Sequence, residues 1–258
     1  KDVLNSALFD YSKNKLLKIV FTPIHGTSIT ALPQVLDQAG YNKVSIVQEQ
    51  IQPNGNFPTV VSPNPEEQEA LEKAVALASE KKADIVIGTD PDADRFGLVV
   101  KDSNSDWYYL NGNQIMVVLT EFLLQKKAVQ KKLHKNCFVA STIVSTPLIQ
   151  KIAEYHGVQY KNTLTGFKWI AKLIEDFSDL EFIGGGEESF GYLVGDSVRD
   201  KDAISASLLA CEVANEAIKN GSSFFELLID CYKKYGIYKE HLVSITKKGK
   251  SGVEYIEN

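Results

Sequence analysis

The chain has no CxxC pair, and its three cysteines, Cys137, Cys211 and Cys231, are odd in number and far apart. That spacing argues against a disulfide framework and against a zinc knuckle built on cysteine pairs, and it suits a reducing, cytoplasmic setting. No apolar run reaches the ~18 residues that a bilayer-spanning helix needs, and the charged opening KDVLN does not read as a secretory leader. No membrane role is expected. Positive charge is not in excess either: the formal net charge is −5. Without a basic stripe, a nucleic-acid partner is not expected. The one basic cluster, KKAVQKK at 126–132, reads as the solvated end of a helix and its loop.

What is present is a globular composition, 44% hydrophobic and 24% charged over 258 residues, long enough for one large or two ordinary domains. Short apolar runs alternate with amphipathic stretches. LLKIVF, KVSIVQ, ADIVIG and FGLVV read as strands, and ITALPQVLDQAG and PNPEEQEALEKAVALASEKK as helices. The alternation restarts near residue 112 with the helix GNQIMVVLTEFLLQKK. CFVAST, VQYKNT and LEFIGGG then read as strands, and TPLIQKIAEYHG, GFKWIAKLIEDF and AISASLLACEVANEAIKN as helices. This pattern predicts two sequential three-layer α/β domains of similar topology, with mixed, largely parallel sheets. The expected division is a first domain over 16–111 and a second over 112–235. Residues 1–15 read as a helix left from a preceding domain, and 236–258 as a linker leading onward. The ends thus suggest a piece of a longer protein.

The segment IVIGTDPDADRFG places Asp90, Asp92 and Asp94 at alternate positions just past a strand, where open α/β sheets bind ligands. Three like charges at that spacing repel unless a cation compensates them, and an oxygen-only donor set suits Mg2+. An EF-hand is excluded, since its sixth and twelfth positions would be Arg95 and Lys101. An aspartyl-phosphate phosphatase is disfavoured, because Asp92-Ala93-Asp94 runs into Arg95. A polar turn with solvated acids is the remaining alternative. Arg95 either neutralises these acids or reaches a phosphoryl group, for which a guanidinium is well shaped.

TDPDADR resembles the metal loop of the α-D-phosphohexomutases, the phosphoglucomutase and phosphomannomutase family. Four further stretches agree in order: FTPIHGTS (21–28), FPTVVSPNPEE (57–67), LTGFKWI (164–170) and GGGEESFGYLVGDSVRDKDA (184–203). The resemblance covers about residues 16–235 and corresponds to the second and third of the family's four domains. No Thr-Ala-Ser-His-Asn-Pro-like stretch carries the serine that is phosphorylated in such enzymes; TIVSTP (142–147) sits elsewhere in the order. The first domain, with that serine, and the fourth, with a phosphate-binding loop, are therefore expected as partners in the same chain, and this stretch alone is expected to be inactive.

The resemblance implies that Asp90, Asp92 and Asp94 hold Mg2+ and that Glu187 and Ser189 read adjacent sugar hydroxyls. On a strand these two would point to one side, whereas Glu188 points away into a salt bridge. Lys201 is implied as general acid/base or phosphate contact, with its pKa lowered by cationic neighbours. Gly166, Lys168 and Arg199 are expected substrate contacts, Lys168 beside a helix start that Thr165 caps. His25 either lines the cleft or is a buried, hydrogen-bonded histidine. Trp169 is expected in the core, and Asp202 as an N-cap. The implied reaction interconverts hexose 1-phosphate and hexose 6-phosphate through a phosphoserine and a 1,6-bisphosphate, with glucose phosphate ahead of mannose phosphate. A phosphopentomutase or a non-catalytic phosphosugar-binding module are the alternatives.

Overall fold

The computed structural model describes residues 15–240, together with Val3 and Tyr255. The helix expected at 1–15 therefore lies outside the described residues except for Val3 and Lys15, as does the expected linker beyond 240 except for Tyr255.

The first sheet is ordered β2-β1-β3-β4-β5, from β1 (Ile19–Thr22), β2 (Val44–Ile46), β3 (Ile85–Thr89), β4 (Phe96–Lys101) and β5 (Trp107–Tyr109). β1 is parallel to β2 and β3; β4 is antiparallel to β3, and β5 antiparallel to β4. Every residue of β1 and β3 is buried, as the continuous apolar runs of central parallel strands require. Successive residues serve opposite faces. Val20, Val86 and Val99 pack with Ala70, Leu71, Ala74 and Ala78 of helix α2 (Gln68–Lys81). Ile19, Phe21, Ile87 and Leu98 join Leu32 and Leu36 of helix α1 (Leu32–Gln38) on the other side.

The second sheet is ordered β7-β6-β8-β9, from β6 (Cys137–Thr142), β7 (Gln159–Thr163), β8 (Glu181–Gly186) and β9 (Tyr192–Val194). β6 runs parallel to β7 and β8, and β9 is antiparallel. Phe167, Ile170 and Ile174 of α5 (Phe167–Asp176) cover one face, against Phe138, Ala140 and Phe182. Helices α3 (Gly112–Val129) and α4 (Leu148–His156) contribute to the cluster on the other. α3 opens with a reciprocal Asn111–Gln114 capping box, and α4 stops at Gly157, whose φ of 69° is the left-handed conformation glycine tolerates.

The chain thus folds as two mixed-sheet α/β units. One apolar cluster runs through both: Phe21, Ile87 and Leu98 belong to it together with Val139, Ile183 and the buried residues of α6 (Ala203–Lys219). α6 is buried almost all round, as a helix between layers must be, and α7 (Phe224–Tyr235) packs against α3 and α6.

Some expectations need correction. β5 and β9 have no counterpart among the expected strands; both are short strands that return antiparallel beside β4 and β8. α2 begins at Gln68 instead of at Pro63; Pro65 and Glu66 form a turn ahead of it. The 126–132 cluster is not wholly solvated, since Lys126 pairs with Glu216, and Lys127 with Glu181 at 2.9 Å. None of the described helices is long and apolar enough to cross a membrane.

Candidate functional site

The acidic loop spans the six residues between Thr89 and Phe96, which are themselves cross-strand partners. Asp90 organises it. Its Oδ1 accepts from the backbone N–H of Asp94 (3.0 Å) and of Arg95 (2.9 Å), and its own N–H donates to the Arg95 carbonyl (3.2 Å). Ala93, at φ 63°, makes the reversal. The loop curls over Asp90, so one carboxylate oxygen each of Asp90, Asp92 and Asp94 lies within 4.8 Å of the others. Burial, with the charges of Asp92 and Asp94, outweighs the backbone hydrogen bond and pushes Asp90 up to about 7. A shared hard cation would relieve that repulsion, so the donor set fits Mg2+.

The loop is braced from the FTPIHGTS side. The Pro91 carbonyl accepts from the Thr27 N–H (2.8 Å) and hydroxyl (3.0 Å). A Cβ on Gly26 would come within 2.5 Å of Pro91 Cα, which explains that glycine. His25 is buried, and its ring nitrogens engage the Gln52 carbonyl (3.0 Å) and the Thr59 hydroxyl (2.8 Å). Its geometry is that of the buried, hydrogen-bonded alternative, not of a cleft-lining group.

The second unit meets this loop directly. The Phe96 N–H donates to the Phe190 carbonyl (3.1 Å), the Ala203 N–H to the Ala93 carbonyl (3.1 Å), and Arg95 and Gly191 form an antiparallel bridge. Lys201 Nζ lies 2.5 Å from Asp94 Oδ2. Burial alone would lower the lysine's pKa, but the hydrogen bond and charge of Asp94, then Asp200, raise it. The expected lowering fails because its neighbours are carboxylates, not cations. Arg95 faces Glu66 (3.4 Å) and Asp94 (3.8 Å).

β8 ends at Gly186, so strand alternation does not set the directions of Glu187 and Ser189. Glu187 is buried and accepts from the Gly166 N–H at 2.8 Å, at the start of α5. Burial raises its pKa despite that bond. Gly166 itself is the N-cap of α5, without a side-chain cap from Thr165. Among the described residues Glu188 makes no salt bridge; it accepts from the hydroxyls of Thr142 (2.9 Å) and Ser145 (3.1 Å). Ser189 is half-buried at the loop tip, and Lys168 and Arg199 are exposed. Trp169 is not in the core: it is 37% exposed, with the Lys168 ammonium 5.4 Å from its ring centre. Asp202 caps α6 through the N–H groups of Ile204 and Ser205.

Sequence reasoning missed Glu66, Ser145 and Gly191. Glu66 stands inside a quoted motif, but nothing in its spacing pairs it with Arg95. Gly191 leaves room for the Lys201 stem: a Cβ there would meet Lys201 Cδ at 2.4 Å, so the lysine would have to shift.

Fold and site together define a two-unit α/β chain with an oxygen-lined cradle where its sheets meet. Residues 1–104 match the family model for phosphoglucomutase/phosphomannomutase alpha/beta/alpha domain II, and residues 111–235 the model for domain III. The chain belongs to the phosphoglucomutase/phosphomannomutase family and comprises its two central domains. It is 40% identical over 243 residues to a phosphoglucomutase of Staphylococcus epidermidis, an alignment that takes in 94% of this chain and 44% of that protein. The chain therefore spans less than half the length of that relative. Among solved structures, a Thermus thermophilus protein assigned as a phosphomannomutase superposes with a TM-score of 0.70 at 24% identity, over 92% of this chain and 50% of that one. The Aspergillus fumigatus N-acetylphosphoglucosamine mutase, solved with GlcNAc-6P and magnesium, gives 0.60 at 14% identity, over 88% of this chain and 51% of that one. These two likenesses concern the fold.

Proposed function

We propose that this chain forms the metal-binding and sugar-binding part of an isomerase-class phosphoglucomutase/phosphomannomutase. The enzyme interconverts hexose 1-phosphate and hexose 6-phosphate, glucose phosphates ahead of mannose phosphates. The observation that carries the reading is the 2.5 Å ion pair between Lys201 of the second unit and Asp94 of the first. It sets a proton-bearing ammonium beside an oxygen-only cradle, at strand ends where α/β sheets take ligands. The phosphosugar and magnesium in the fungal relative are consistent with that ligand class.

In this reading the phosphoserine belongs to the part of the relatives that this chain does not match. Its phosphoryl group passes to a hexose phosphate, giving a 1,6-bisphosphate that turns over and returns its other phosphoryl group to the serine. Asp90, Asp92 and Asp94 would hold Mg2+, which when bound would supply charge compensation for a phosphoryl group in transfer. Lys201, held as an ammonium by Asp94, gives its proton to the leaving oxygen and, once neutral, takes up the proton of the attacking sugar hydroxyl. Arg95 binds phosphoryl oxygens. Glu187 and Ser189 hold the 3- and 4-hydroxyls, which exchange places when the sugar turns; a carboxylate accepts and a hydroxyl donates or accepts in either pose. Gly166 sets Glu187, and Lys168 and Arg199 screen the distal phosphate.

The test is an assay of the full-length protein with glucose 1-phosphate and a trace of the 1,6-bisphosphate. Activity is expected to require Mg2+ and to fall at least ~100-fold in Asp92→Asn. Wild-type turnover in Asp92→Asn would remove the metal assignment, and phosphosugar binding without any turnover would mark a non-catalytic module.

A further inference from the structure

A second cluster of metal-competent side chains lies at the other end of the second sheet. Cys137 is the first residue of β6 and Glu181 the first of β8, and the two are register partners on parallel strands. Both stand at the strands' N-terminal edge, whereas the aspartate cradle lies past the C-terminal end of β3. His134 is three residues before Cys137. The Cys137 N–H donates to the His134 carbonyl at 2.9 Å, which closes a turn and folds the two residues toward each other. The Glu181 N–H donates to the Asn136 carbonyl (2.9 Å), and the Gln159 amide to the Lys135 carbonyl (3.0 Å), so the turn is pinned from both neighbouring strands.

The side chains converge on one point. His134 Nε2 is 3.1 Å, and Cys137 Sγ 3.9 Å, from the same Glu181 Oε2, and ligand atoms of all three residues lie within 4.8 Å of one another. The other Glu181 oxygen accepts from Lys127 at 2.9 Å. That bond fixes the carboxylate so that Oε2 faces the imidazole and the thiol, as an outer partner orients a metal ligand. The His134 and Glu181 side chains are 52% and 44% exposed, which leaves an entry path, and Cys137 forms the buried floor.

We infer that His134, Cys137 and Glu181 form a site for one zinc ion, bound through an imidazole nitrogen, a thiolate and a carboxylate oxygen. A borderline-soft cation suits this mixed N, S, O set, and zinc takes such ligands at about 2.0–2.3 Å in tetrahedral geometry with room for a water as the fourth. Binding releases the thiol proton to solvent. Tetrahedral zinc spaces such ligand atoms about 3.3–3.5 Å apart, which the 3.1 and 3.9 Å separations from Glu181 Oε2 bracket. Zinc here ties the start of β6 to the start of β8, away from the sugar loops.

The probe is Co2+ titrated into the purified protein with Mg2+ in excess to occupy the aspartate cradle, followed by Zn2+ competition. Wild type is expected to take up one Co2+ with a thiolate-to-cobalt charge-transfer band that Zn2+ abolishes. Cys137→Ser should lose the band, and His134→Ala, on an exposed turn that tolerates truncation, should weaken Co2+ binding at least tenfold. Asp92→Asn should leave both unchanged. A wild-type protein without a thiolate band, a band that survives in Cys137→Ser, or unaltered affinity in His134→Ala would each overturn the assignment.

Discussion

At the scale of single residues, two glycines near the site separate stability from chemistry. A Cβ on Gly112 would lie 2.0 Å from the Glu188 carbonyl oxygen and 2.7 Å from its carbon. Those are backbone atoms, so the whole 188–190 turn must move. Gly112→Ala is expected to cost about 1–3 kcal/mol in urea unfolding, while Gly55→Ala, with nothing near its added Cβ, serves as the neutral control. Gly191 is the contrary case. Its Cβ would strike the flexible stem of Lys201, which can yield. Gly191→Ala should keep the folding midpoint within about 0.5 kcal/mol of wild type yet displace the ammonium from Asp94. Turnover by the full-length protein should then fall ~10- to 100-fold, since misplacing a catalytic group by about 1 Å has that effect. A variant with normal turnover would take Lys201 out of the reaction. The acids of the cradle were legible in the sequence because alternation after a strand is a local signal. Glu66 beside Arg95, and Ser145 under Glu188, were not, because they depend on how two distant loops meet.

At the scale of elements, α3, α4 and α7 are joined by one buried carboxylate. Glu121 on α3 accepts from His156 Nε2 (2.8 Å), Tyr235 hydroxyl (2.7 Å), Lys234 (3.0 Å) and Gln125 (2.6 Å). Burial alone would raise its pKa, but these four hydrogen bonds hold it well down, from 4.5 to about 2. A folded pKa below the unfolded one adds stability that is complete above about pH 4.5 and is lost as pH falls toward 2. At about 1.4 kcal/mol per pKa unit, the contribution is on the order of 3 kcal/mol. Urea midpoints taken down a pH series should decline across that window in wild type, and the decline should flatten in Glu121→Gln. Equal slopes in the two proteins would show that other carboxylates carry the acid sensitivity. The helices themselves were readable from their periodicity and their glycine stops. This network was not, because a lone Glu, His or Lys on an amphipathic helix looks the same whether it meets solvent or a partner helix. The short return strands β5 and β9 escaped for a related reason: their pairing with β4 and β8 is set by the hairpin, not by any pattern of their own.

At the scale of the molecule, the question is whether the two units move apart or stand as one body. The alternation of strands and helices foretold two α/β domains but not what lies between them. α6 answers that, since its buried residues belong to the same apolar cluster as β1 and β3 of the first sheet and β6 and β8 of the second. The backbone bonds from Phe96 to Phe190 and from Ala203 to Ala93 lie at the same joint. With a shared core there is no surface at which one unit can unfold and leave the other's apolar face covered, so a single cooperative transition is expected. The chain carries its own reporters. Its two tryptophans fall one in each unit, Trp107 on β5 and Trp169 on α5. Trp169→Phe leaves fluorescence from the first unit alone, and Trp107→Phe from the second. The two variants should give superimposable urea curves once each is corrected for its own small stability change. Leu208→Ala in α6, where the leucine is 1% exposed, should lower both midpoints together by an amount worth about 2–5 kcal/mol. If the Trp107 and Trp169 signals instead separate, or if Leu208→Ala moves only one, the cradle and the sugar loop sit on independently folding bodies, and the 2.5 Å contact of Lys201 with Asp94 would have to be made anew at each closure.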